Sequence, residues 1–195
     1  MSTNECQTLS ASRLPSEKLA CRHLIVFIHG LNGGAGDFSV LIKEIAEAFR
    51  RAGGREAPFL FCSASNTGLA KNVDGIERAG VRLAAEIEVL CRAMPRLEEL
   101  SMVGHSLGGL YGRYALSLLS PSLLSESSRV RPSFFVTIAA PHIGIRRPGG
   151  LFSAPVATLF QLGAQSVPGF RTAHELCLAE RPRGTLVHSA YQTEG

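Results

Sequence analysis

A chain of 195 residues has room for one domain with a buried core, and 45% hydrophobic against 18% charged residues is a globular balance that excludes a disordered chain. The net charge of +4 is spread over scattered arginines; Arg50–Arg51 and Arg146–Arg147 are too short for a nucleic-acid stripe, so no nucleic acid is expected as a partner. The five cysteines, Cys6, Cys21, Cys62, Cys91 and Cys177, are odd in number and without a Cys-x-x-Cys pair, which argues against a disulfide scaffold or a zinc site.

Residues 1–21 read as a flexible leader, polar and without the apolar stretch of a signal peptide, and the domain is expected over 22–195. His23 to Ile28 is a continuous apolar run ended by His29-Gly30, the pattern of a strand buried on both faces of a parallel sheet. After the glycine-rich turn 33–36, Asp37 is placed to cap a helix with Leu41, Ile42, Ile45, Ala46 and Phe49 on one face, stopped by Gly53. Phe59 to Cys62 is a second strand. A longer helix carries Ile76, Gly80, Leu83, Ile87, Leu90 and Met94 on one stripe and ends at Pro95. Leu100 to Val103 is a third strand, Leu107 to Leu119 a helix closed by Pro121, and Phe134 to Ile138 a fourth strand. Strands alternating with helices predict an α/β fold, a mainly parallel sheet with helices on both faces. Cys62 and Cys91 lie in apolar segments and read as buried thiols, which fits a reducing, cytoplasmic compartment. No run has the length and purity of a membrane span, and nothing calls for a cofactor or a metal.

Gly104-His105-Ser106-Leu107-Gly108 fits Gly-x-Ser-x-Gly. The motif alone is common, but here it stands at the end of an apolar strand and the start of a helix, where a nucleophile elbow has to be. A sharp strand-to-helix turn leaves no space for side chains two positions either side of the serine. It lifts the Ser106 hydroxyl above the sheet and puts the free N–H of Leu107, at a helix N-terminus, near a developing oxyanion. His29-Gly30-Leu31 follows the first strand. Gly30 lets the backbone pass close to a substrate, so the N–H of Leu31 is the expected second donor, while His29 is expected to shape the loop rather than carry protons.

The blocks HLIVFIHGLNG, DGIERAGVRLAAEI, LSMVGHSLGGLYGRYAL and SFFVTIAAPHIG, in this order, resemble the putative serine esterase family, lipase-like α/β-hydrolases related to fungal monoacylglycerol and lysophospholipid lipases. The likeness runs from about residue 22 to 145, with a thinner match over 170–187. It implies an α/β-hydrolase fold, hydrolysis of a lipid or other ester, Ser106 as nucleophile and an oxyanion site beside His29-Gly30. Asp74-Gly75-Ile76 matches a family block too and is read as a helix start. His142 is implied to belong to a structural Pro-His-x-Gly turn.

Such hydrolases order their triad as serine, acid, histidine, because the base takes the serine proton and a carboxylate holds the imidazole. After Ser106 there is no aspartate; the glutamates are Glu126, Glu175, Glu180 and Glu194, and the histidines His142, His174 and His188. Glu126 precedes the fourth strand, and Glu180 and His188 stand too close together for the strand and helix that normally separate acid from base. The expectation is therefore a C-terminally incomplete hydrolase domain, with His188 as the remaining candidate base. From Pro148 to Phe170 there is no ionisable side chain. That stretch reads equally as a lid touching a membrane or lipid droplet and as a helix packed on the sheet. Two functions follow: a lipase or carboxylesterase working through an acyl-enzyme on Ser106, or a catalytically silent hydrolase-fold binding module.

Overall fold

The computed structural model of the chain describes residues 20–53, 56–119, 123, 129–144 and 171–176. Among these residues four strands, β1 (His23–Ile28), β2 (Phe59–Cys62), β3 (Glu99–His105) and β4 (Arg131–Ile138), form one sheet in the order β2-β1-β3-β4. All neighbouring strands are parallel. Parallel neighbours need crossovers, and the amphipathic segments supply them. They are α1 (Ser39–Ala52) after β1, α3 (Ile76–Ala93) after β2 and α4 (Leu107–Leu118) after β3. A short α2 (Leu69–Val73) precedes α3, and α5 (Arg171–Leu176) comes late in the chain.

The pleat of β1 sorts the layers. Leu24, Val26 and Ile28 share a buried cluster with Leu83, Ile87 and Leu90 of α3 and with Leu107, Leu110 and Tyr111 of α4. Ile25 and Phe27 point the other way, into a cluster with Ile42 of α1 and Phe38, whose ring centre is 5.2 Å from that of Phe27. A strand with apolar neighbours on both faces shows an unbroken apolar run, and that run is why the sheet is covered on both sides, as expected of the α/β class.

Several elements differ from their sequence reading. β4 starts at Arg131, three residues before the apolar run, and accommodates Pro132 because its outer edge has no partner strand among the described residues. Asp37 does not cap α1. It lies in a 3-10 turn over Ala35–Phe38 and its carboxylate accepts the Gly34 N–H at 3.1 Å, while α1 begins after Phe38 without a side-chain cap. Cys62, read as a buried thiol, is instead disulfide-bonded. Cys91 is free and buried, and burial pushes its thiol up to about 12.

The helix start at Asp74-Gly75-Ile76 is held from far along the chain. The Gly75 N–H donates to the Thr172 hydroxyl at 3.0 Å and the Ile76 N–H to the Glu175 carboxylate at 2.6 Å. An anion accepting an otherwise unpaired N–H at a helix N-terminus is favourable on both hydrogen-bonding and dipole grounds. Asp74 instead takes a forked pair from Arg82, at 2.7 and 2.9 Å.

At the opposite end of the sheet, His23 ties three strands together. Its Nε2 is 2.8 Å from the buried Ser101 hydroxyl of β3, its Nδ1 is 3.8 Å from the Glu99 carboxylate, and its ring meets Phe134 of β4 edge-on at 6.1 Å. Burial lowers its pKa below the ordinary 6.5, outweighing the attraction of Glu99. The unfolded chain therefore holds this proton more tightly than the folded one. Its contribution is complete above about pH 6.5 and is lost as the pH falls through the lower folded value. Denaturant titrations should show stability declining on the acid side of neutrality, and His23→Gln should flatten that decline. An unchanged acid slope in His23→Gln would assign it to another group.

Candidate active site

β3 and α4 are joined by a single residue. Ser106 sits between His105 and Leu107 at φ 54°, ψ −123°, a left-handed conformation that a side chain strains. Two backbone bonds hold it: the Ser106 N–H donates to the Ile138 carbonyl of β4 at 2.8 Å, and the Ser106 carbonyl accepts the Gly109 N–H at 3.1 Å. So tight a reversal presses α4 onto the sheet. A Cβ on Gly108 would lie 2.0 Å from the Ile28 carbonyl oxygen, and one on Gly104 would lie 2.6 Å from the Gly109 Cα. Both outer glycines of the motif are thus set by close backbone approach. Ser106 is half-exposed, His105 is exposed, and Leu107 is buried against the core.

The pairing register brings the loop after β1 to this turn, because Ile28 lies opposite Gly104. Gly30 comes so close that a Cβ there would be 2.9 Å from the Ser106 Cβ and 3.3 Å from its Oγ. The loop is closed by a Gly33 N–H bond to the Gly30 carbonyl at 3.1 Å. His29, buried, lies with Nδ1 3.0 Å from the same carbonyl and Nε2 3.4 Å from the Thr67 hydroxyl. A carbonyl only accepts, so Nδ1 carries the proton and Nε2 is left to accept from Thr67. One ring nitrogen is engaged with the loop and the other with Thr67 beyond β2, and neither is hydrogen-bonded to Ser106. His29-Gly30-Leu31 and Gly104-His105-Ser106-Leu107-Gly108 therefore meet at the carboxyl ends of adjacent central strands, the side of a parallel sheet where ligands bind.

Other candidates are not brought here. Among the described residues no side chain is hydrogen-bonded to the Ser106 hydroxyl. His142 is turned to the Thr137 hydroxyl at 2.9 Å. Glu175 is committed to the start of α3 and to Arg171, whose Nε donates to it at 2.8 Å. His188, Glu126, Glu180, Glu194, the side chain of His174 and the whole 148–170 stretch lie outside the described residues. Among the described residues no cluster of His, Cys, Asp and Glu could hold a metal, and no helix is long and apolar enough to cross a membrane. Two contributors escaped the sequence reading. Thr67 bears no signal of its contact with His29. Ala139, at φ 51° directly after β4, takes a conformation that nothing in an Ala-Ala pair announces.

Comparison with known proteins gives this geometry a family. The profile of the family described as "Putative serine esterase" matches residues 19–184. The "Putative lipase ROG1" of Saccharomyces cerevisiae is 26% identical over 149 residues, which is 74% of this chain and 21% of that protein. The "Putative lipase C4A8.10" of Schizosaccharomyces pombe is 28% identical over 129 residues, 63% of this chain and 16% of that protein. The chain thus spans about a fifth or less of the length of these relatives. With its profile matched over most of its length, the chain belongs to the putative serine esterase family.

Proposed function

We propose that Ser106 is the nucleophile of a carboxylic ester hydrolase that cleaves lipid esters through an acyl-enzyme. The observation that carries this reading is the single-residue turn at φ 54° with the Gly30 backbone against the serine side chain. In the forward step the Ser106 oxygen adds to the ester carbonyl carbon, and the carbonyl oxygen gains the negative charge. The N–H groups of Leu31 and Leu107 stabilise that charge. Collapse expels the alcohol, which leaves with a proton, and water then releases the acid from the acyl-serine. An isolated serine is a poor nucleophile, so a base has to take its proton; His188 is the candidate for that role. Lipid esters are favoured as substrates by the word "lipase" in the relatives' names and by the charge-free 148–170 stretch, which suits an acyl chain or the surface of a membrane or lipid droplet.

A fluorophosphonate probe tests the proposal, because it phosphonylates only an activated serine. Peptide mapping should find one adduct, on the peptide containing Ser106, and Ser106→Ala should lose it while keeping the parent's melting temperature. An adduct that persists in Ser106→Ala, or no adduct on Ser106 in either this chain or a longer protein containing it, would overturn the reading.

A further inference from the structure

The nucleophile turn leans on a second strained turn, and the residue that pins the second is His142. Ser106 owes its backbone anchor to the Ile138 carbonyl, at 2.8 Å. The next residue, Ala139, stands at φ 51°, a conformation that side chains resist unless the surroundings impose it. The same corner supports the first turn of α4, which bears the Leu107 N–H. The space a Cβ would occupy on Gly109 is taken by the Ala140 Cβ, at 2.5 Å, and by the Thr137 Cγ2, at 3.1 Å. Thr137, Ile138 and Ala140 therefore set both the backbone of Ser106 and the height of the helix behind it.

What holds this corner is local. The His142 N–H donates to the Ala140 carbonyl at 3.0 Å and the Gly144 N–H to the Pro141 carbonyl at 2.9 Å. The His142 ring then reaches back across the turn to the Thr137 hydroxyl, with Nε2 at 2.9 Å. Its Nδ1 is buried and has no partner among the described residues. An unpaired buried nitrogen is unfavourable, and an apolar side chain would avoid it if the position only needed filling. The polar ring is accounted for by its bond to Thr137.

We propose that His142 is a positioning residue for Ser106: through Thr137 it keeps the Ala139 turn strained, so that the Ile138 carbonyl and Ala140 hold the serine turn in place. The inference rests on the reading of Ser106 as the nucleophile, but its central contact, between Ser106 and Ile138, can be measured without any reaction.

The experiment follows amide hydrogen exchange at Ser106 and fluorophosphonate labelling rates in the parent, His142→Ala, His142→Gln and Thr137→Val. His142→Ala should raise Ser106 amide exchange at least about tenfold and slow labelling by a similar factor, with the amides of β1 as protected as in the parent. His142→Gln, whose amide nitrogen can stand where Nε2 stands, should recover most of both. Thr137→Val keeps the side-chain volume and removes only the hydroxyl, so it should reproduce the His142→Ala effect even if that variant is too unstable to study. Unchanged Ser106 exchange in Thr137→Val, or exchange raised equally across the whole sheet, would overturn the proposal. Absence of label both in this chain and in a longer protein containing it would instead overturn the nucleophile reading, and amide exchange would still decide the role of His142.

Discussion

Gly108→Ala is expected to yield no folded protein. The added Cβ would lie 2.0 Å from the Ile28 carbonyl oxygen, 2.7 Å from the Ile28 carbonyl carbon and 2.7 Å from the His29 carbonyl oxygen. All three are backbone atoms at the end of a central strand, so no rotamer change relieves the clash. The alternative is for α4 to lift off β1 by more than about 1 Å along its first turn, in an interior packed too densely to absorb that. Lifting it would pull Leu107, Leu110 and Tyr111 out of the main core cluster. Overpacking commonly costs about 1–3 kcal/mol, and a clash with immovable backbone belongs to the tail beyond about 4 kcal/mol. Against a total stability of about 5–15 kcal/mol, a loss of about 4 kcal/mol alone would leave a margin. A 2.0 Å clash with a backbone oxygen, however, can be relieved only by giving up the α4–β1 packing, and the burial of Leu107, Leu110 and Tyr111 goes with it. Gly36→Ala is the control, since a Cβ there meets nothing within 4 Å. Soluble yield and thermal melting read the result: Gly36→Ala should melt with the parent, and Gly108→Ala should show no cooperative transition. A Gly108→Ala variant melting within a few degrees of the parent would refute the packing of α4 on β1.

The glycine motif was legible because its cause is local: a one-residue reversal forbids side chains at fixed offsets, whatever the rest of the chain does. β1 was legible for a related reason, since burial on both faces writes an unbroken apolar run. α3 was legible because 18 residues give its stripe room to repeat. Elements whose stability comes from distant partners left no such trace. α2 has five residues, too few for a period, and is held by contacts from elsewhere. The Asn72 carbonyl accepts the Tyr111 hydroxyl at 3.2 Å and the Thr172 hydroxyl at 2.8 Å. α5 has six residues, and its Glu175, weighed as a triad acid, serves the start of α3. Asp37 went astray through a one-residue shift: the chain inserts a 3-10 turn before α1, whose N-cap is Phe38, so the acid closes the turn rather than capping the helix. Within the site, Ser106 and the loop at Gly30 could be placed from order along the chain. The strain at Ala139 and the His142–Thr137 bond could not, because no residue type there marks a left-handed turn or a ring that folds back on its own strand.

Gly30→Ala should leave a folded protein that has lost most of its reactivity toward esters. The contrast with Gly108 lies in what the new Cβ meets. At Gly30 it would stand 2.9 Å from the Ser106 Cβ, 3.0 Å from the His105 carbonyl oxygen and 3.3 Å from the Ser106 Oγ. These contacts are too short by a few tenths of an ångström, and the loop can yield, since Leu31 is only partly buried and Asn32 is exposed. The cost to stability is then of the overpacking kind, about 1–3 kcal/mol. On the proposed role of the Leu31 N–H as second oxyanion donor, the cost to chemistry is larger, because the yielding loop carries that N–H away from the serine and such a donor works only when already in place. Removing one such donor lowers kcat by about 10²–10³-fold. The loss should fall on kcat, with KM little changed, as expected for an interaction made chiefly in the transition state. Short p-nitrophenyl esters report the rate and thermal melting reports the fold, measured on whichever form of the protein, this chain or a longer one containing it, shows turnover that depends on Ser106. A Gly30→Ala variant that keeps the parent's kcat would show that the Leu31 N–H is not the second donor, and that the oxyanion site lies away from the β1 loop.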